Sequence, residues 1–141
     1  MATDTLNFFN SFSEYMAEKK MDFTPTTGDT FKLAFCAAAA APVATNTILA
    51  NLTHAETNAD SVTVVVSASG YSGATYTCDF TDKTITATGG AIPTFRYVVL
   101  YDDTVANDPL IGWVDYGGNL DVSVGETFAV NNLGFTITFT N

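Results

Sequence analysis

The order of apolar and polar residues predicts a chain built mostly from short β strands. Along most of the sequence, apolar side chains alternate with polar ones, which is the period of a strand with one buried face. Glycine, asparagine and aspartate separate these segments, as turns do in β sandwiches and jelly rolls. The predicted strands cover residues 30–37, 61–67, 74–80, 83–88, 93–102, 110–116, 120–124 and 135–140, with 127–130 as a further short strand.

The same pattern predicts a mainly β fold with a short helical start. We expect an antiparallel β-sandwich or jelly-roll-like domain over residues 26–141, preceded by an N-terminal α-helix or arm over residues 1–25. Two strands flank the acidic segment at Asp102 and Asp103, and both carry apolar residues on each face in places. Strands of that kind belong inside a sandwich or a barrel, where both faces are covered.

Turn residues predict where the chain reverses. Glycine-rich turns are expected at residues 70–73 and 117–119, and a tight hairpin is expected at residues 81–83. Residues 44–60 are open to two interpretations. They form either a short helix around residues 47–55 or an extended excursion.

Residues 4–20 carry the periodicity of an amphipathic helix instead of a strand. A face so rich in phenylalanine is expected to be covered. Two interpretations are open. The helix packs on the β domain of its own chain, or it forms an arm that docks on a neighbouring subunit. In the second interpretation, the large apolar side chains of this face are the candidate partner-binding residues: Phe8, Phe9, Phe12, Tyr15 and Met16.

Composition indicates a well-packed core inside a negative surface. The chain is 47% hydrophobic and 14% charged, which is too apolar for a disordered protein, and its net charge is -10. That charge argues against binding nucleic acid, and it keeps the copies of an abundant protein apart. No membrane contact is expected either. The longest weakly polar run, residues 33–44, is interrupted by Pro42 and is too short to span a bilayer.

The N-terminal residues and the cysteines indicate the cellular compartment in which the protein is expected to fold. The first residues lack the basic start of a secretory signal, so the sequence predicts no export. Cys36 and Cys78 are the only cysteines. We therefore expect both to be reduced and buried as small apolar residues, and not to be joined in a disulfide.

Reactive chemistry is hard to assemble from this sequence. His54 is the only histidine and lies in a polar stretch typical of a loop, so it is expected to be a solvated residue and not a catalytic base. Asp102, Asp103 and Asp108 offer oxygen ligands of the type that calcium binds, but their spacing does not match an EF-hand. We interpret them as solvated residues of a hairpin tip. The sequence therefore predicts no catalytic residue, no cofactor and no metal.

A set of aromatic residues allows one further binding hypothesis. In a strand-rich domain, such residues belong more often to a core or an interface than to a platform on which sugars stack. The residues concerned are Tyr71, Tyr76, Tyr97, Tyr101, Trp113 and Tyr116.

Several motifs, read together and in order, resemble a known group of proteins. Residues 9–23, followed by GDTFKLAF at residues 28–35, resemble a short helix that leads into a "DTFKVAL"-like first strand. SGYSG at residues 69–73 resembles a "GYxxGG" turn, with Ala74 in place of the second glycine. RYVVLYDD and PLIGWVDYG, from Arg96 and Pro109 onward, resemble an "ARYAVLYDD…PLIGYxDFG" hairpin, and GETFAV near the end completes the pattern. The group is that of the small virion structural proteins of tailed bacteriophages.

This resemblance implies a function that the residues alone do not. It implies a capsid decoration or cement protein, made in the host cytoplasm and bound to the outer surface of the virion head. Its expected partners are the major capsid protein and copies of itself, as a homotrimer at three-fold positions. The resemblance carries over no catalytic residue.

Two alternatives stay open beside the cement hypothesis. The first is another structural place in the virion, in the tail or at a vertex. The second belongs to a different class, a carbohydrate- or calcium-binding module that uses the tyrosines and the Asp102 loop. An enzyme is the last interpretation, because nothing in the sequence marks a nucleophile.

Overall fold

A computed structural model describes residues 6–140, and it confirms the mainly β fold with antiparallel sheets and a short N-terminal helix. The jelly-roll topology remains a prediction. The strands and the helix, in chain order, are β1 Asn7–Phe8, α1 Phe12–Ala17, β2 Phe31–Cys36, β3 Thr63–Val64, β4 Val66–Ser72, β5 Thr75–Phe80, β6 Lys83–Thr86, β7 Ile92–Asp102, β8 Leu110–Val122, β9 Thr127–Val130 and β10 Gly134–Thr138.

The largest sheet has five strands in the order β1-β8-β7-β2-β3. Its centre is the expected hairpin of β7 and β8. The predicted turn at residues 117–119 is wrong, because β8 runs through it as one strand. Gly117 adopts a φ of +81° within β8, and the register of the hairpin shifts near Phe95. Irregular pairing of this kind absorbs an extra residue without ending the strand.

The other two sheets have the orders β10-β5-β4 and β6-β9. β4 and β5 form a hairpin that turns just after Ser72, with Gly73 at a φ of +60°. The tight hairpin predicted at residues 81–83 is wrong, because β5 and β6 belong to different sheets. Thr81 instead donates its backbone N–H to the carbonyl of Val65. The chain therefore changes sheets at these residues.

A main core brings the three sheets together, and a smaller one lies apart from it. The main cluster contains side chains from all three sheets and from α1, among them Phe12, Phe31, Ile85, Phe95 and Phe135. The smaller cluster includes Phe9, Ala34, Cys36, Val99, Tyr101 and Leu110. Because side chains alternate across a strand, Ala34 and Val99 lie on the opposite face from Phe35 and Val98. The five-stranded sheet thus buries apolar residues on both faces.

The N-terminal helix is much shorter than the predicted span of residues 4–20. Residue 4 lies outside the described residues, Asn7 and Phe8 form β1, and only Phe12–Ala17 are helical. Asn7 and Phe8 pair with Trp113 and Gly112 of β8. Backbone pairing to a distant strand has therefore outweighed the local helical periodicity. The helix ends at Ala17 with Glu18 as its C-cap, and Lys19 takes a φ of +55°.

Residues 44–60, for which the sequence allowed two interpretations, form the extended excursion and not the short helix. Its one helical turn, Leu49–Asn51, is a 3-10 turn. The Asn51 side chain accepts hydrogen bonds from the backbone N–H groups of Thr47 and Ile48, at 2.9 and 3.2 Å. Leu49 and Leu52 then pack on the smaller core. This loop therefore covers the second face of the sheet.

Candidate functional site

An open apolar groove lies between the N-terminal segment and the end of the sheet that contains β10. Its volume is about 760 Å³, and no charged residue lines it. β1 and α1 supply one wall, and β5 and β10 supply the other. The side chains that shape this groove are Phe8, Phe12, Met16, Tyr76, Ile137 and Phe139.

The floor of the groove is rigid because it is made of packed rings. Phe12 is buried, and its ring centroid lies 5.3 Å from that of Phe135 and 6.1 Å from that of Phe23. Both pairs meet edge to face, a favourable geometry for aromatic rings. Phe8 stacks on Phe12 with a centroid distance of 5.6 Å. The floor of the groove therefore rests on packed aromatic side chains.

The rim of the groove is exposed. Phe139 is 73% exposed and Phe8 is 41% exposed. Large aromatic side chains rarely remain in water on two sides of one concave surface unless that surface binds something. The groove is thus the candidate functional site.

Four of the five residues that the sequence singled out line this groove: Phe8, Phe9, Phe12 and Met16. Tyr15 does not line it, and the ring of Phe9 packs mainly elsewhere. Phe9 is 1% exposed, and its ring packs on Trp113 at 4.7 Å in the smaller core. Tyr15 donates its hydroxyl hydrogen to the carbonyl of Thr47. The expectation that all five share one helical face is wrong, because Phe8 and Phe9 precede the helix.

The second wall of the groove was missed by sequence analysis. Phe135, Ile137 and Phe139 alternate along the last strand, so they point to one face of their sheet. Pairing between β10 and β5 ends at Thr138, with one further hydrogen bond from Phe139 N–H to the carbonyl of Ala74. The signal available in the sequence was Phe139, an apolar residue at the end of a segment in which apolar and polar residues alternate.

β10 is also an edge strand within residues 6–140. Natural proteins protect such edges with charged residues or proline, and Gly134–Thr138 contains neither. Thr136 and Thr138 are exposed on this strand. An unprotected edge beside an apolar groove is typical of a surface that meets another protein.

The six aromatic residues of the sugar-stacking hypothesis do not form one platform. Tyr101 is buried, whereas Tyr71 is 84% exposed on the β4–β5 hairpin. Tyr97 and Trp113 pack against the smaller core, and Tyr116 meets Phe128 edge to face. Tyr76 lines the groove. These positions favour the interpretation as core and interface residues.

The acidic hairpin does not assemble a metal site either. Asp103 pairs with Lys32 at 2.9 Å, and Asn107 and Asp108 take positive φ values of 68° and 51° in the turn. Asp102 is fully buried and accepts hydrogen bonds from the backbone of Thr104 and Val105. In the described part of the chain, no group of three or more histidine, cysteine, aspartate or glutamate side chains has a geometry suited to a metal ion.

The histidine and the cysteines do not form a reactive pair. His54 lies in an exposed loop, with Nδ1 2.9 Å from the Glu56 carboxylate. Cys36 and Cys78 are free and buried, as expected. Burial raises the pKa of Cys36 to about 11 and that of Cys78 to about 12, so neither is a thiolate at neutral pH.

Residues 6–140 contain no helix with the length and apolar character needed to cross a bilayer. Comparison of the chain with family models, curated proteins and solved structures finds no match, so the groove itself has to carry the functional argument.

Proposed function

We propose that this protein is a non-enzymatic structural protein of a tailed-phage particle, a decoration or cement protein that binds the outer surface of the head. The observation that carries the proposal is the exposed apolar groove with its prepacked aromatic floor. A rigid apolar surface with aromatic anchors is what a protein–protein contact needs for affinity. The major capsid protein is the proposed occupant of the groove.

The positions of the resembling motifs fit a scaffold. GDTFKLAF contains most of β2, RYVVLYDD lies largely in β7, and PLIGWVDYG lies largely in β8. These are the three inner strands of the five-stranded sheet. The buried residues of these motifs, such as Leu33, Val99 and Ile111, are apolar side chains that pack in the two cores. The motifs thus support a structural role.

The charge distribution is consistent with this role. The net charge is -10, yet the lining of the groove contains no charge. Negative charge elsewhere on the surface keeps free trimers apart from one another until they meet the shell. On a symmetric lattice, a homotrimer engages several sites at once, and avidity strengthens each modest contact.

A charge placed on the rim of the groove tests the proposal. We expect Phe139→Asp to weaken binding to phage heads that lack the protein by at least about tenfold, because a carboxylate must be desolvated in an apolar contact. Co-sedimentation of the purified chain with such heads measures the loss. Phe139 is 73% exposed, so the variant should fold normally.

Tyr71→Asp is the matched control, because Tyr71 is an aromatic residue that is 84% exposed and lies outside the groove, on β4 of the sheet that contains β10. It should bind heads like the unaltered chain. Equal binding by both variants and the unaltered chain contradicts the groove as the contact. Failure of the unaltered chain to bind heads contradicts the cement function itself.

Copy number separates the head from the tail. Quantitative mass spectrometry of purified virions should find hundreds of copies if the protein covers the head, and at most tens if it belongs to the tail or a vertex.

Light scattering of the isolated chain should give the mass of a trimer. A monomer in solution argues against three-fold assembly before binding.

A further inference from the structure

Asp102 is an ionisable side chain in an unusual place. It is the last residue of β7, opposite Phe31 of β2, and it is fully buried. Its Oδ1 accepts hydrogen bonds from the N–H groups of Thr104 and Val105, at 2.8 and 3.2 Å. Its Oδ2 is buried without any such donor. A buried carboxylate oxygen with no donor is costly, so this atom needs an explanation.

The carboxyl group of Asp29 interacts with the Asp102 carboxyl and explains how the Oδ2 atom is satisfied. Two ionised carboxylates have no hydrogen to share. If one of them holds a proton, the pair forms an O–H···O bond, and Oδ2 is then satisfied. Two hydrogen bonds hold these two segments of the chain together, from Asp103 N–H to the carbonyl of Thr30 at 2.8 Å and from Thr30 N–H to the side-chain Oγ1 of Thr104 at 2.7 Å.

Asp29 also closes the loop that joins the N-terminal segment to β2. Its Oδ2 accepts the N–H of Asp22 at 2.8 Å, and its own N–H donates to the carbonyl of Asp22 at 2.8 Å. Inside this loop, Asp22 Oδ1 accepts hydrogen bonds from Thr24. Thr26 adopts a φ of +66°, which is strained for a β-branched residue. The loop is therefore a closed, strained connection anchored at Asp29.

Among residues 6–140, no lysine, arginine or histidine forms an ion pair with Asp29 or Asp102. Lys32, in the adjacent strand, is paired with Asp103 at 2.9 Å. Lys32 is opposite Tyr101, so alternation puts it on the other face of the sheet from Asp102. Asp22 lies on the same loop, but its hydrogen bonds from Thr24 lower its pKa and keep it ionised. Burial and the Asp29 carboxyl raise the pKa of Asp102 to about 7.

We propose that Asp29 and Asp102 form a proton-dependent clasp that fastens the loop Asp22–Asp29, and with it the N-terminal segment, to the end of β7. While the pair holds one proton, the shared hydrogen bond keeps the clasp closed. When that proton leaves to solvent, the buried negative charge of Asp102 faces the negative charge of the partly buried Asp29, and the loop opens. This inference concerns the chain by itself and holds whether or not the groove binds a virion partner.

The direction of the pH dependence follows from linkage. The pKa of Asp102 is higher in the folded protein than in the unfolded chain, so the folded state binds more protons between about pH 4 and pH 7. The stabilisation is complete below the unfolded pKa and is lost as pH rises through the folded pKa. The equilibrium constant for unfolding should therefore rise by up to about tenfold per pH unit from about pH 5 to pH 7, and level off above that.

Urea unfolding of the full chain across this range tests the clasp. The Asp102→Asn variant has an amide that donates to the Asp29 carboxylate and has no proton to lose, so its stability should stay level between about pH 5 and pH 8. Asp103→Asn is the control. It alters a neighbouring half-exposed carboxyl and should keep the pH dependence of the unaltered chain.

A second variant and a local measurement complete the test. Asp29→Asn supplies the same donor from the other side and should weaken the pH dependence, while the part that comes from the burial of Asp102 remains. Hydrogen exchange of the Asp22, Gly28 and Asp29 amides is measured in the unaltered chain and in Asp102→Asn at the same pH. As pH rises above about 7, these amides should lose protection in the unaltered chain but not in the variant. If the stability of the unaltered chain does not fall as pH rises to 7, or if it falls equally in the Asn variants, the clasp does not exist.

Discussion

Alanine in place of Phe12 is expected to lower the free energy of unfolding by about 3–5 kcal/mol, the usual cost of emptying a buried aromatic site. Phe12 is 4% exposed and contacts the rings of Phe8, Phe23 and Phe135. Those three rings come from three parts of the chain and cannot all move into the space that Phe12 leaves. Urea or guanidinium unfolding at fixed pH measures the loss.

Phe139→Ala is the matched control for this prediction. Phe139 is also a phenylalanine at the groove, but it is 73% exposed. Its truncation should change stability by no more than about 0.5 kcal/mol. If the Phe12 variant also loses less than about 1 kcal/mol, α1 does not belong to the main core. Together the two variants separate the residues that build the groove from those that are free to bind.

The strands were predictable because their signal is local. Alternation alone placed the short strand Thr127–Val130 and the start of β6 at Lys83. It also paired β7 with β8, since two apolar strands around an acidic turn have few other arrangements. Half of the groove was predictable for the same reason. Phe8, Phe12 and Met16 stood out as a large apolar group that needed a partner surface.

The remaining features depend on contacts that local patterns do not encode. The turn residues Thr81 and Asp82 suit a hairpin, but they suit a change of sheet equally well, and strand partners far along the chain decide between them. Asp102 looks like a solvated turn residue until Asp29 and the end of β2 cover it. Burial of a polar residue at the end of a strand is a tertiary property, so no periodicity reveals it.

The N-terminal segment shows this limit most clearly. Its apolar residues fit a helical period, yet β1 forms because β8 offers a place where a second backbone can come close. Asn7 donates its side-chain N–H to the carbonyl of Trp113, which is 106 residues away. That place exists because residue 112 has no side chain. A Cβ on Gly112 would lie 2.6 Å from the carbonyl oxygen of Asn7 and 2.7 Å from Leu6 Cγ.

Gly112→Val is therefore expected to displace β1 and to cost about 2–4 kcal/mol of stability. Phe9 follows β1 and its N–H bonds the carbonyl of Ile111 at 3.1 Å, so its 1% exposed ring would lose its site in the smaller core. That ring packs on Trp113, the only tryptophan of the chain. The displacement should shift the Trp113 fluorescence to longer wavelength under native conditions, as water reaches the indole.

Gly118→Val is the matched control, because it places the same side chain on the same strand where no atom lies within 4 Å of the new Cβ. It should leave both the fluorescence and the unfolding midpoint near those of the unaltered chain. The comparison isolates the close approach of β1 from the general cost of replacing glycine in a strand, since valine is a good strand former. Native Trp113 emission in the Gly112 variant means that β1 does not lie over this position. A loss of stability in both variants means that β8 tolerates valine at neither site, and the contact with β1 is then not the reason for glycine at residue 112.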